Sequence, residues 1–173
     1  MIIGAVRVYE VHKLSYTIDF PVLFLFGGVS LDIVSTLLFV ALNAGRETHP
    51  ILGELISVSI WFIPVYLFTT NAFFVPFLSG VLRRTLSYAI GLSGVLFSMN
   101  NFSLVLFRNA FLVDNIGYTP LIIIFVLLGF IIFFYYIKVE KLNPRDIVNN
   151  FLQLFFNVIF IGIVNVLFFL ITL

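Results

Sequence analysis

The residue whose type and position point most directly to chemistry is Asp32, a carboxylate inside the long apolar run 20–43. Placing a charged aspartate at the centre of a membrane helix costs about 2.5–3.5 kcal/mol on insertion scales. Desolvation therefore favours a neutral carboxyl that is hydrogen-bonded to a neighbour. Two roles are open for Asp32: a structural donor to a serine, an asparagine or a backbone carbonyl, or a carboxylate that handles a proton or a cation.

Polar side chains in other apolar runs are predicted to join Asp32. At about 1.5 Å per residue, Asp32 lies roughly 18 Å into the first run and Asn157 roughly 15 Å into the last, so we predict a hydrogen bond between them. The predicted intramembrane cluster comprises Asp32, Ser35, Thr36, Asn43, Glu54, Asn100, Asn101 and Asn157. Glu47 and His49, in the turn that follows the first run, are expected to cap it.

A metal site at Asp32, Glu47 and His49 is a further possibility, because histidine with carboxylates suits zinc, iron or manganese. One nearby histidine without repeated ligand spacing does not define such a site, and capping of the next helix by Thr48-His49-Pro50 also explains these residues. The sequence contains no nucleophile elbow, zinc-protease, phosphate-loop or dinucleotide motif. No catalytic residue and no cofactor are predicted.

Composition places these residues in a membrane. Of the 173 residues, 62% are hydrophobic and 10% are charged, against about 25% charged residues in a soluble domain. The net charge of +1 provides no field for nucleic acid, and the absence of cysteine excludes disulfides and thiolate sites. A soluble globular domain and a nucleic-acid-binding protein are therefore excluded.

Five apolar runs are long enough to span a bilayer, which needs about 20 residues. They are approximately 20–43, 50–77, 85–107, 119–137 and 147–173. We predict an all-α polytopic membrane bundle with one transmembrane domain, 20–173, after a cytoplasmic interfacial segment, 1–19. Pro64 is expected to kink the second span, because a proline inside a helix removes one hydrogen bond and clashes with the preceding turn.

The distribution of basic residues predicts the orientation. With a cytoplasmic N-terminus, five spans put seven of the nine Lys and Arg residues inside and two, Arg46 and Arg108, outside. The inner residues are Arg7, Lys13, Arg83, Arg84, Lys138, Lys141 and Arg145. The prediction is therefore a multi-pass protein of the cell membrane whose C-terminus lies outside.

Residue spacing indicates which helix faces pack. Ser87, Gly91, Gly94 and Ser98 fall at offsets 0, 4, 7 and 11, which forms a seam of small residues along one face of the third span. Such seams allow close backbone approach, a main source of helix association in lipid. We therefore predict that another helix packs on this seam.

The stretch 31–53 resembles a family of small polytopic membrane proteins of unknown function from archaea and bacteria. The family signature is Asp-x-x-Ser/Thr-Thr in one helix and Gly-x-Glu-x-Asn-Pro at the start of the next. Here the matching positions are Asp32, Ser35 and Thr36, then Gly45, Glu47, His49 and Pro50, with His49 in place of the asparagine. The resemblance implies a membrane location and a shared helix–turn–helix, and it implies no chemistry.

Three functions remain open from the sequence. The first is a non-catalytic accessory or scaffold subunit of a larger membrane complex, with the lipid bilayer and other integral membrane subunits, or further copies of the chain, as partners. The second is a small transporter or an ion- or proton-conducting protein that uses Asp32 and the asparagines. The third is an intramembrane metalloenzyme.

Overall fold

The structure is a computed structural model, and it describes residues 19–44, 50–78 and 80–172. Within these ranges the chain forms helices and no strand. The helices are α1 Phe20–Ala41, α2 Pro50–Val58, α3 Phe62–Asn71, α4 Gly80–Phe107, α5 Phe111–Ile116, α6 Tyr118–Glu140 and α7 Pro144–Thr172, with one 3-10 turn at Val75–Phe77. The predicted interfacial segment, apart from residue 19, lies outside the described residues.

Among the described residues, four helices are long and apolar enough to cross a membrane: α1, α4, α6 and α7. They correspond to the first, third, fourth and fifth predicted spans. Three of them are longer than predicted, because α4 begins at Gly80, α6 continues to Glu140 and α7 begins at Pro144.

The second predicted span, 50–77, is not one continuous helix. It is divided into α2 and α3, which are separated at residues 59–61 and followed by the 3-10 turn. Pro64 has no N–H to donate to the carbonyl of Ile60, so this carbonyl accepts from the Ile63 amide instead, at 3.1 Å. The amide of Phe62 bonds the Ser59 carbonyl in the same way, at 3.1 Å. The expected kink at Pro64 is thus a break one turn before the proline.

The most extensive helix contact joins α1 to α4 and is made backbone to backbone. A Cβ atom added at Gly94 would lie 2.5 Å from the carbonyl oxygen of Gly28, and one added at Gly28 would lie 2.8 Å from the Cα of Gly91. Gly91 itself packs against Phe24. The small-residue seam of α4 therefore holds α1, and no larger residue fits at these three glycines without movement of a helix.

Contacts at both ends show that α1 and α4 run parallel. At one end Asp19 caps α1 by accepting from the Val22 amide, at 3.3 Å, and forms a 2.9 Å ion pair with Arg83. At the other end the Arg108 guanidinium donates to the carbonyl of Asn43, at 3.3 Å. Because two successive parallel helices need a return connection, the chain between them, which contains α2 and α3, travels back along the length of α1.

The remaining helices surround this pair. α3 packs beside α1, where Phe68 stacks on Phe26 with ring centroids 6.1 Å apart. α7 packs on α2 and α3 through a core that contains Leu55, Ile63 and Phe168. α6 lies along α4, and Arg84 of α4 forms an ion pair with Glu140, the last residue of α6.

Substitution of Gly28 tests the contact between α1 and α4. We expect Gly28→Ala to lower the free energy of unfolding by about 1–3 kcal/mol, because the new methyl group overpacks the backbone of α4. The matched control is Gly27→Ala, since a Cβ at Gly27 meets nothing within 4 Å. Reversible unfolding in mixed micelles measures both variants, and equal stability of the two would contradict the proposed backbone contact.

A polar cavity around Asp32

A cavity of about 320 Å³ lies among α1, α3, α4 and α7 and is also lined by Leu52 of α2 and Val113 of α5. About half of the residues that line it are polar, although they belong to strongly apolar helices. These polar residues are Asp32, Thr36, Tyr66, Thr70, Asn71, Ser93, Asn100, Asn101 and Asn165. The cavity therefore offers carboxylate, hydroxyl and amide groups inside an apolar bundle.

Asn101 of α4 links the cavity to α1 by two hydrogen bonds. Its amide nitrogen donates to the hydroxyl of Ser35, at 3.1 Å, and to that of Thr36, at 3.0 Å. Both hydroxyls are buried, and that of Ser35 donates onward to the Asp32 carbonyl, at 3.0 Å. Because Ser35 and Thr36 follow Asp32 by three and four residues, they share its helix face. The network consequently fixes the α1 face that carries the carboxylate.

Asn100 connects the cavity to the short helix α5. Its side-chain oxygen accepts from the amides of Leu112 and Val113, at 2.9 and 3.2 Å. These amides belong to the first turn of α5, where backbone donors have no partner within the helix. Since Val113 also lines the cavity, Asn100 fixes α5 against it.

Tyr66 of α3 and Asn165 of α7 form the opposite wall. The Tyr66 hydroxyl donates to the side-chain oxygen of Asn165, at 2.8 Å. The Thr70 hydroxyl, one turn further along α3, bonds the Tyr66 carbonyl at 2.8 Å. This wall supplies polar groups without a formal charge.

The electrostatic character of the cavity is set by Asp32. Among the described residues that line the cavity there is no Lys, Arg or His. Arg83 and Arg84 instead pair with Asp19 and Glu140, at one end of α4. The described lining of the cavity therefore carries one acidic residue, the half-buried Asp32, and no basic residue.

The structure brings together part of the predicted cluster. Asp32, Thr36, Asn100 and Asn101 line the cavity, and Ser35 bonds to Asn101. Asn43 lies at the end of α1, in a left-handed conformation with φ of 49°, and Glu54 is exposed on α2.

Asn157 is buried, but the residue of α7 that shares the cavity with Asp32 is Asn165. The other polar residues of α7 lie further towards its start. Asp146, Asn150 and Gln153 line a separate hollow of about 380 Å³ near Glu140, and the Asn150 amide bonds the Asp146 carbonyl at 2.7 Å.

The turn predicted to cap the cluster lies outside the described residues, and so do Glu47 and His49. Within the described ranges, no group of three or more His, Asp or Glu residues could hold a metal ion. The metal site at Asp32, Glu47 and His49 accordingly stays a prediction.

Several lining residues were not predicted from the sequence. Tyr66 and Thr70 are four residues apart on a helix, and this spacing places them on one face. The second span was predicted as one kinked helix, and nothing in that prediction indicated that this face is turned to the cavity. Ser93 lies immediately before Gly94 of the small-residue seam. The depth estimate from helix rise paired Asp32 with Asn157, so it gave no reason to place Asn165 beside Asp32. Only the spacing of Tyr66 and Thr70 was a usable signal.

Comparisons with known protein families, with curated proteins and with solved structures found no match. The resemblance of residues 31–53 to a membrane-protein family stays a prediction.

A double-mutant cycle tests the contact between Asn101 and Thr36. We expect Asn101→Leu and Thr36→Val to couple by about 0.6 kcal/mol, the average for hydrogen bonds between membrane helices, for which the maximum is about 1.7 kcal/mol. Pairing Asn101→Leu with Thr69→Val is the control, because the Thr69 hydroxyl bonds its own helix at the Val65 carbonyl. Unfolding in mixed micelles gives the coupling energies, and equal values for the two cycles would argue against the contact.

Proposed function

We propose that this protein is a small membrane transporter that binds a positively charged solute, or a proton, at Asp32. The observation that carries the proposal is the 320 Å³ cavity, in which the Asp32 carboxylate shares the lining with hydroxyl and amide groups of four helices. Ionisable residues within membrane helices are costly and commonly mark ion or substrate pathways.

The size and the walls of the cavity support binding of a small solute. Ligand sites usually enclose about 300–1,000 Å³ and contain a few convergent polar groups. The cavity falls within this range, and its polar groups come from four helices. A purely structural hydrogen bond at Asp32 would need no such space.

The broken helix α2–α3 also supports transport. Discontinuous helices commonly form the solute sites of secondary transporters, where the ends of the half-helices bind the substrate or the coupling ion. Leu52 of α2 and Tyr66, Leu67, Thr70 and Asn71 of α3 line the cavity on both sides of the break at 59–61. A change of angle at the break would therefore alter the cavity.

We propose a fifth membrane crossing made by α2 and α3 together. The parallel arrangement of α1 and α4 supports it, since the chain must return from the Asn43 end to the Asp19 end between them. The bias in basic residues supports a cytoplasmic Asp19 end, because Arg83, Arg84, Lys138 and Arg145 then lie inside. The chain would then be a multi-pass protein of the cell membrane.

The scaffold function is the second candidate, and the outer faces of α6 and α7 favour it. They expose many large apolar side chains, including Ile131, Phe134, Phe155 and Phe156. Partner helices could cover these faces in a complex, although acyl chains would cover them equally well. The metalloenzyme stays a third possibility, supported by no contact among the described residues.

Substitution of Asp32 tests transport. In liposomes that contain the purified chain, we expect exchange of labelled methylammonium, or proton flux reported by an enclosed pH-sensitive dye, above that of empty liposomes. Asp32→Asn should abolish the flux while the protein remains folded and inserted, because the amide cannot balance a cation. Glu54→Gln is the matched control, since it makes the same chemical change at an exposed residue outside the cavity.

Retention of flux in Asp32→Asn would contradict the role of the carboxylate. Absence of both fluxes in the unsubstituted chain, together with isolation of a stable complex with other membrane subunits, would favour the scaffold.

Single introduced cysteines test the number of crossings, because the chain has no cysteine of its own. If α2–α3 crosses the membrane, Leu42→Cys and Asn109→Cys should react with an impermeant maleimide from one side and Arg145→Cys from the opposite side. Without that crossing, Leu42→Cys and Arg145→Cys would be labelled from the same side. Labelling of intact and of permeabilised cells distinguishes the two arrangements.

A further inference from the structure

A second, apolar space lies beside the polar cavity. It is a groove of about 470 Å³ between α4, α6 and α7, and most of its wall is hydrocarbon. The side chains that form it include Leu86, Val126, Phe130, Leu154 and Val158. At one end α6 and α7 are in contact through Phe133 and Phe151, whose ring centroids are 5.6 Å apart.

The groove and the polar cavity share one wall. Ile90, Ser93 and Phe97, on successive turns of α4, line both spaces. Ser93 is the smallest of the three, and its hydroxyl is bonded to the Ile90 carbonyl of its own helix, at 2.8 Å. The two spaces are therefore neighbours along about two turns of α4, with a short side chain between two large ones.

We infer that the cavity and the groove together form one site for an amphipathic amine, with the ammonium head beside Asp32 and the alkyl tail in the groove. This inference rests on the proposed function and names the class of its solute. The head of such a molecule lies in the cavity that contains the carboxylate. Its alkyl chain runs past Ser93, and the tail lies among apolar side chains of α6 and α7.

The charge of the lining selects the head group. An ammonium group finds the carboxylate of Asp32 and hydroxyl and amide oxygens in this lining. A phosphate or carboxylate head would find no basic side chain among the described lining residues. The combination of a polar cavity and an adjoining apolar groove thus matches an amine with a hydrocarbon chain better than a small inorganic cation, which would leave the groove unused.

Gly129 of α6 is a position from which the groove can be filled. A Cβ at Gly129 meets the Ala89 side chain at 3.8 Å, an ordinary contact, and Gly129 lines the groove, so we expect Gly129→Leu to place its side chain there. Gly162 of α7 provides the matched control, because a Cβ there meets nothing within 4 Å and the residue does not line the groove.

The experiment measures ligand-induced shifts in the thermal unfolding midpoint of the full chain in lipid nanodiscs, with methylamine, octylamine and octanoate as probes. We expect octylamine to raise the midpoint more than methylamine does and octanoate to have no effect. Gly129→Leu should weaken octylamine binding roughly tenfold, because its side chain takes the place of the tail. Gly129→Leu should leave the methylamine shift unchanged. Gly162→Leu should show the same shifts as the unsubstituted chain. Asp32→Asn should lose the shifts of both amines.

Two results would overturn the inference while leaving the proposed function in place. One is an octylamine shift that Gly129→Leu does not reduce, and the other is a methylamine shift as large as that of octylamine. An octanoate shift equal to that of octylamine would overturn the cationic head. If neither amine shifts the midpoint and methylammonium flux is also absent, the inference and amine transport fail together.

Discussion

Direct contact between the backbones of α1 and α4 is the constraint on which the rest of the bundle depends. In lipid, apolar side chains gain little by leaving one hydrocarbon environment for another, so close packing and hydrogen bonds must hold the helices. Gly28, Gly91 and Gly94 allow that packing. The same close approach brings Asn101 within hydrogen-bonding distance of Ser35 and Thr36. Packing and polar bonding thus specify one register between the two helices.

The cavity follows from this register and from the break between α2 and α3. Because α1 and α4 are parallel, the intervening chain has to return between their ends, and it does so as two short helices. α3 brings Tyr66 to Asn165, whereas α2 contributes Leu52 from the other side of the break. Polar groups that would be costly against lipid consequently surround a shared interior space.

The sequence predicted the apolar helices and the packing seam because both depend on residue spacing along a single helix. It did not predict that the second run would divide, since Pro64 indicates a distortion and does not specify whether the helix bends or ends. The pairing of Asp32 with Asn157 assumed straight helices that start at one level. Asn165, roughly 12 Å further along α7, lines the cavity instead, because the relative height of helices is set by their tertiary contacts.

The adjacent arginines Arg83 and Arg84 reach in different directions, one to α1 and the other to α6, and so fasten three helices at one level. No comparable ion pair among the described residues ties α7 to this assembly. α7 extends for 29 residues, or roughly 43 Å, which exceeds the hydrocarbon thickness of a typical bilayer by about 13 Å. A helix of this length accommodates the excess by tilting or by extending its polar first turns, which include Arg145 and Asp146, beyond the hydrocarbon, and the share of each varies with membrane thickness. The width of the space between α6 and α7 would therefore respond to the lipid composition of the surrounding bilayer.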